Sequence, residues 1–373
     1  MICNRVSLML VASVGCFVLA GPPSNCFALP VDLGTAGSQY WTVLQTGNGT
    51  VTLTQPVTTT KKKKSSKTKT GTTVTSTAAQ VAIKGNVGVG ESGQILDSSE
   101  QFVGDLYLGD NSSAQFSGTY ANNSPVSGAV RMGNGSTISP STGYSFNSSF
   151  SALQPTMNQV RLDAMNASAA ASALAATSTL SSISLAPGKK SKGASLTLTA
   201  GVYDLTSLML TRSTLTLSGS GSFVFNISSA FVLNTAQVLL ANGAIASNVL
   251  FNYTGTSDIS ISGSTGKKKS SGSSVLNGII LAMNANVNLR SGLVVGEIIS
   301  GRNVMIGSGS LVQGLPNIGL PLNTVNTVDP PTVPDETSTI VLSFIALCLL
   351  VGCRPLFAYG FLAAGRARRV VRA

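Results

Sequence analysis

Between Gly193 and Gly314 apolar and polar residues alternate in short bursts with almost no charge. "SLTLT" (Ser195–Thr199), "STLTLS" (Ser213–Ser218) and "SDISIS" (Ser257–Ser262) have the period of two expected of a half-buried strand. "SFVFNI" (Ser222–Ile227), "SNVLFNY" (Ser247–Tyr253) and "NGIILA" (Asn277–Ala282) are apolar more continuously, as in strands covered on both faces. Gly, Ser and Asn separate the bursts, with glycines at 201, 219, 221, 243, 263, 292, 301 and 307 predicting tight corners. Short strands at a spacing of roughly 8–15 residues fit a sandwich, a barrel or a solenoid. The recurrence of Asn and Ser at corners and of Val, Ile and Leu between them favours an irregular solenoid with coils of unequal length.

The pattern changes at Ser151–Ser178, which is rich in Ala and lacks Gly. Met157, Val160, Ala164, Ala167, Ala171 and Leu174 fall at helical spacing, and Pro155 suits a first turn. A helix is therefore expected over about 153–178, lying along the flank of the β structure, where its apolar stripe is covered. Upstream, "LGTAGSQYWTVL", "GTVTLTQ", "QVAIKGNVGVG", "GDLYLGDNSSAQFSG" and "SGAVRMGNGSTIS" continue the strand character.

The two ends follow other patterns. Residues 1–28 read as a secretory signal peptide: Arg5, an apolar Val6–Ala20, then "CFA" at Cys26–Ala28. The body runs over 29–314 and a proline-rich linker over 315–332. Residues 333–373 combine "VPDETST", an apolar span over about 340–364 interrupted by Arg354-Pro355, and a basic cluster at Arg366, Arg368, Arg369 and Arg372. Such a span predicts a transmembrane helix whose basic end stays on the cytoplasmic side.

Composition then narrows the chemistry. The chain of 373 residues has no histidine, and its five cysteines lie in the two ends. Body disulfides, thiolate zinc sites and histidine-based acid–base catalysis are thereby excluded. The net charge of +11 is concentrated in the tail and in three lysine clusters: 61–69, 189–192 and 267–269. These read as solvated spacers, or as unspecific attractors of acidic polysaccharide or lipopolysaccharide phosphate. No aromatics interleave the lysines, which argues against nucleic acid. Asp97 with Glu100, and Asp105 with Asp110, read as turn residues; Asp105, Asp110 and Asn111 lack the repeated acidic pattern of a calcium site. No catalytic residue, metal ligand or cofactor is expected. The Thr-x-Thr pairs at Thr52–Thr54, Thr197–Thr199 and Thr214–Thr216 are good outward strand residues. On a flat face, Thr197, Thr199, Thr214 and Thr216 are also the candidates for ordering water and contacting ice.

Two resemblances add to this reading. The tail resembles exosortase-type C-terminal sorting signals of Gram-negative bacteria, in the variant that begins with Val333, Pro334 and Asp335. The resemblance implies an exosortase-like processing enzyme as partner, an inner-membrane precursor, and delivery to the cell surface or extracellular matrix. Glu336-Thr337 departs from the small residues usual after the aspartate. The body resembles the ice-binding-like β-solenoid family, in "LGTAGSQYWTVL", "GNVGVG", "LTAGVYDLTS", "LTLSGSGSFVFNI" and "LLANGAIASNVLFNY". It also resembles the choice-of-anchor A adhesin-like family, in "NVLFNYTGTSDISISGS" and "LNGIILAMNANVNLRSGLVVGEIISG". These imply a right-handed solenoid with one long flanking helix, acting without catalysis on ice or on an envelope or matrix polysaccharide. The alternative is a carbohydrate-active enzyme on the same scaffold, which needs two facing carboxylates about 5–10 Å apart.

Overall fold

A computed structural model describes residues 29–37, 41–54, 81–98, 101–118, 120–140, 143–149, 156–188, 193–263 and 272–315. The chain divides into two units, 1–320 and 321–373; only the first contains described residues. The expected signal peptide, transmembrane span, Val333–Asp335 motif and arginine cluster Arg366, Arg368, Arg369 and Arg372 all lie outside the described residues. Among the described residues no helix is long and apolar enough to cross a membrane.

The strands of the first unit pair in parallel and form three columns, here called faces 1, 2 and 3, around a shared apolar interior. Ser195–Thr211 and Thr214–Asn234 each pass through all three. Within that pair, 195–199 against 214–218 belongs to face 2, 201–205 against 223–227 to face 1, and 207–211 against 230–234 to face 3. Register shifts at Thr199/Gly201 and Leu205/Ser207 mark the two bends. The glycines at 201, 219 and 221 therefore sit inside continuous, bent strands rather than in loops between strands, a correction to the sequence expectation. A bulge turns the chain while keeping most of the ladder, which a loop would interrupt.

The coils do not stack in chain order. On face 1, Val43–Gln45 lies between 298–300 and Val87–Val89. On face 3, Thr50–Leu53 lies between Val304–Ile306 and Gln94–Asp97. The N-terminal coil is thus inserted between the last coil and the coil that follows it in sequence. Beyond it run 101–116 and then 129–149; on the other side lie 274–290, 237–262, 214–234 and 195–211. The chain must therefore cross from the coil ending near 149 to the far coil at Ser182–Leu185. A helix is suited to that crossing, because it satisfies its own backbone hydrogen bonds along the way.

The crossing element is α1 (Met157–Ser172), shorter at both ends than the expected 153–178. Thr156 caps it, its hydroxyl accepting from Gln159 N at 3.3 Å. Of the predicted stripe, Met157, Val160, Ala164, Ala167 and Ala171 are buried, whereas Leu174 lies beyond the helix and is half-buried. The Ala-rich sequence beyond Ser172 has no further stripe to bury, so propensity alone does not extend the helix. At one end of the stack, Phe116, Tyr120, Tyr144 and Phe146 form an aromatic cluster over the interior, edge-to-face except for the tilted Phe116–Phe146 pair. Within it, Tyr203, Phe225 and Phe251 stack from coil to coil at 5.1 and 5.0 Å.

Candidate functional site

On face 2 the inward residues Leu196, Leu198, Leu215 and Leu217 fix which side chains face out. The outward row of the end strand is Ser195, Thr197 and Thr199, and that of its neighbour is Thr214, Thr216 and Ser218. The pairs are Ser195–Thr214, Thr197–Thr216 and Thr199–Ser218. Strand geometry sets these hydroxyls about 4.8 Å apart across the strands and about 6.7 Å apart along them. Thr197 and Thr199 are exposed, and Thr214 and Thr216 half-buried. None of the four hydroxyls has a hydrogen-bond partner among the described residues. Because threonine is stiff at χ1, the row is a fixed lattice of donors and acceptors.

The lattice ends quickly. The next strand on face 2 presents Gln237, Leu239 and Ala241, and the following ones present Val275 and Asn277, Leu293 and Val295, then Leu311 and Gln313. Face 2 is thus hydroxyl-bearing at one end and mixed further along, with aliphatic side chains beside the amides of Gln237, Asn277 and Gln313. The third threonine pair is elsewhere: Thr52 pairs with Met305 and Leu96 on face 3.

Face 1 has a different fate, because α1 covers it. Asn252 is buried and saturated. Its Nδ2 donates to Ser168 O (3.1 Å), Ser172 Oγ (3.0 Å) and Asn226 Oδ1 (2.9 Å), and its Oδ1 accepts from Ser168 Oγ (2.7 Å). Asn226 Nδ2 donates to Ala171 O and Asp204 Oδ1. The N-terminal segment seals the other half. Thr35 donates from its N (2.8 Å) and its hydroxyl (2.6 Å) to Asp163 of α1. Burial raises the Asp163 carboxyl, but the bonds from Thr35 and Gln159 outweigh it and lower the pKa. Trp41 donates to Thr35 O (2.8 Å) and meets Tyr107 edge-on at 5.0 Å. Its ring occupies the hole left by Gly88, where a Cβ would come within 2.7 Å of the indole.

Of the acids singled out from the sequence, Asp97, Asp105 and Asp110 are buried or engaged by the protein's own groups. Asp105 accepts from Ala129 N and Tyr107 OH and lies 3.7 Å from Arg131. Asp110 accepts from Asn134 N of the neighbouring coil. Asp97 is buried, and Glu100 lies outside the described residues. Among the described residues no group of three His, Cys, Asp or Glu is placed to hold a metal.

Sequence reading missed the Asn226–Asn252 clamp, although both asparagines recur at one place in "FVFNI" and "VLFNY". It also missed how the lysine clusters are attached. The clusters themselves lie outside the described residues, but the ends flanking each do not. Lys61–Lys69 falls between Thr54 and Val81, Lys189–Lys192 between Gly188 and Gly193, and Lys267–Lys269 between Gly263 and Gly272. Each gap leaves face 3 and enters face 2. The face 2 strands succeed one another as 195–199, 214–218, 237–241, 274–277, 293–295, 311–313 and 81–84. The three gaps therefore feed every third strand along one corner of the stack.

No curated protein sequence matches the chain. Among solved structures, an ice-binding protein from the Antarctic ascomycete Antarctomyces psychrotrophicus is 18% identical, over 76% of this chain and 98% of that one, with a TM-score of 0.38. The ice-binding protein LeIBP from an Arctic yeast, whose structure addresses antifreeze activity, is 15% identical over 78% and 95%, at 0.39. The DUF3494 domain of Shewanella frigidimarina ice-binding protein 1 is 17% identical over 79% and 100%, at 0.39. Residues 68–310 match the family described as Ice-binding-like. That stretch is most of the chain, holds its helix and strands of all three faces, and makes the chain a member of the ice-binding-like family.

Proposed function

We propose that this protein is an exported, non-enzymatic module whose coils form an irregular right-handed β-solenoid, and that Thr197, Thr199, Thr214 and Thr216 dock it on ice. The observation that carries this is the in-register pairing of Thr197 with Thr216, with hydroxyls that no group among the described residues uses. Membership of the ice-binding-like family supports ice as the ligand. A stiff hydroxyl lattice holds water in fixed positions, and the neighbouring aliphatic side chains give up weakly held water when a solid surface approaches. The test is ice shaping and thermal hysteresis by residues 29–316, with Thr197→Lys and Thr216→Lys beside the unaltered body. Loss of activity in both variants, with folding intact, is expected. Ordinary ice growth at high concentration of the unaltered body removes this reading.

A second reading is adhesion to an acidic envelope or matrix polysaccharide. It is favoured by the attachment of all three lysine clusters along one corner, at a spacing of about 14 Å. Lysine clusters joined to the body at ends placed in this way suit an extended polyanion better than a compact ligand, and the attraction weakens with salt. Binding that persists after the lysines at 267–269 and 189–192 are replaced by serine would sink it.

The tail fits delivery to the surface. An exosortase-like enzyme would cut near Val333, Pro334 and Asp335, after Arg366, Arg368, Arg369 and Arg372 had held the far end in the cytoplasm. Mass spectrometry of the mature C-terminus decides this point. A chain intact through Ala373 in the surface fraction would leave the tail as a plain anchor.

A further inference from the structure

The face 2 ladder ends on 195–199, and among the described residues nothing pairs with the outer side of that strand. One bond fixes where its backbone groups point. Thr214 N donates to Ala194 O at 2.9 Å. In a parallel ladder the N–H and C=O of one residue point to the same side, and successive residues alternate. Ala194, Leu196 and Leu198 therefore bond to the neighbouring strand. Ser195, Thr197 and Thr199 aim their backbone groups at the free edge, where Thr199 O alone is engaged, by the Tyr203 hydroxyl. The side chains show the same open edge. Inward-pointing Leu196 is half-buried, whereas Leu215, its mate in register, is fully buried.

The other outermost strands are guarded or shorter. On face 1 the edge of 201–205 is met by the preceding segment, with Thr177 N donating to Val202 O at 2.9 Å and Thr206 N to Ser181 O at 2.7 Å. Ser182–Leu185 has 4 residues, and Thr137–Ser139 and Asn147–Ser149 have 3 each. The edge at 195–199 is the longer one, alternates without a break, and is a ready template for another strand. It is also self-complementary about Thr197. A twofold axis through Thr197, perpendicular to face 2, lays the strand antiparallel to its own copy. Thr197 then meets its counterpart and Ser195 meets Thr199, so every residue that faces the edge finds another. Opposed residues point to one side, so Leu196 and Leu198 stay inward together and the hydroxyls stay outward. Parallel pairing of the same two edges turns one copy over and sets leucines beside hydroxyls. It also brings together the two ends at Gly193, to which Lys189, Lys190 and Lys192 are joined. Antiparallel pairing holds those ends about 26 Å apart, well beyond the screening length of about 8 Å.

We propose that the 195–199 edge pairs antiparallel with the same edge of a second copy of this chain, making one face 2 that runs through both copies. The pairing satisfies the backbone groups of Ser195, Thr197 and Thr199 and covers Leu196. It also places the outward rows of Thr197 and Thr216 from both copies on one side, doubling the hydroxyl lattice. The value of that doubling rests on the ice-docking reading; the pairing itself does not.

Disulfide trapping on the full chain in detergent tests both the pairing and its register. Mass spectrometry of the linked peptides separates these links from any made by the cysteines of the two ends. Thr197→Cys is expected to give a link between the two 197 positions, whose Cα atoms stand about 5.5 Å apart in such a pair. Chains with Ser195→Cys and chains with Thr199→Cys should link when mixed. Either alone should not, because like positions are about 13 Å apart. Adding Thr197→Pro to the mixed chains removes an N–H that faces only the free edge. The fold and its circular dichroism should hold while the link is lost. The pairing is overturned if Thr197→Cys gives no link between the 197 positions, if Ser195→Cys links to itself as readily as to Thr199→Cys, or if the mixed link survives Thr197→Pro. Ice shaping is scored separately on the unaltered chain. Ordinary ice growth beside an intact 197 link removes the ice reading and keeps the pairing.

Discussion

The same two long strands pass through face 1 and face 2, yet the outward polar residues of the two faces do opposite things. On face 1, Asn226 and Asn252 spend their amide hydrogens on α1, on each other and on Asp204. On face 2, the hydroxyls of Thr197, Thr199, Thr214 and Thr216 have no partner among the described residues. Alternation along a strand decides only which residues point outward. What lies above them decides whether a polar group is structural or available. The difference in residue type follows: an amide can join two neighbours across a dry interface, whereas a branched hydroxyl suits a wet surface.

This contrast can be broken most forcefully at Asn252. Asn252→Ala leaves Ser168 and Asn226 with unmet groups under the helix, and should cost about 3 kcal/mol in urea unfolding. Thr197→Ala should stay within about 0.5 kcal/mol. Equal costs at the two sites would abolish the distinction. Next in size is Gly88→Val, which drives a side chain into the seat of Trp41. A loss of about 2 kcal/mol is expected, with a red-shifted emission from the single tryptophan.

A smaller effect sharpens the contrast at the margin of face 1. The Asp163 carboxyl is lowered in the folded chain, so it contributes stability above the unfolded value near about 3.9. That contribution is lost as pH falls through the folded value, and solvent screening keeps it below about 1 kcal/mol. Acid should therefore loosen the 29–37 segment to proteolysis in the wild type, and Asp163→Asn should be loosened already at neutral pH. The smallest stability effect is expected at Thr52, on face 3. Thr52→Lys should leave ice growth as the unaltered body leaves it, whereas Thr216→Lys should abolish the activity. A loss at Thr52 would move the contact to face 3.

Several features were legible before any coordinates. The period-two runs became strands, and the runs apolar throughout became the face 1 strands, which are covered on both sides. The stripe from Met157 to Ala171 became the buried side of α1. The helix ends were not legible, since an Ala-rich run looks helical wherever it stands. The grouping of Thr197 with Thr216 was only half legible. The alternation put both outward, but their pairing depends on a register that two bends in each strand adjust. Thr52 and Thr54 share the same local pattern and ended on another face, because face is a property of the coil and not of the tripeptide.

The sequence by itself determined the strand-rich class, the lone helix, the absence of histidine and of body cysteines, and the concentration of charge in a few clusters. Each of these follows from local composition and period, which neighbours a few residues apart enforce. Only the tertiary structure decided that the N-terminal coil is inserted beside the last one, that the gaps holding the three lysine clusters share a corner, and that Glu297 is fully buried without a hydrogen-bond partner among the described residues. Those facts depend on contacts between residues hundreds of positions apart, set by how parallel coils share an interior, and no local pattern in the chain encodes them.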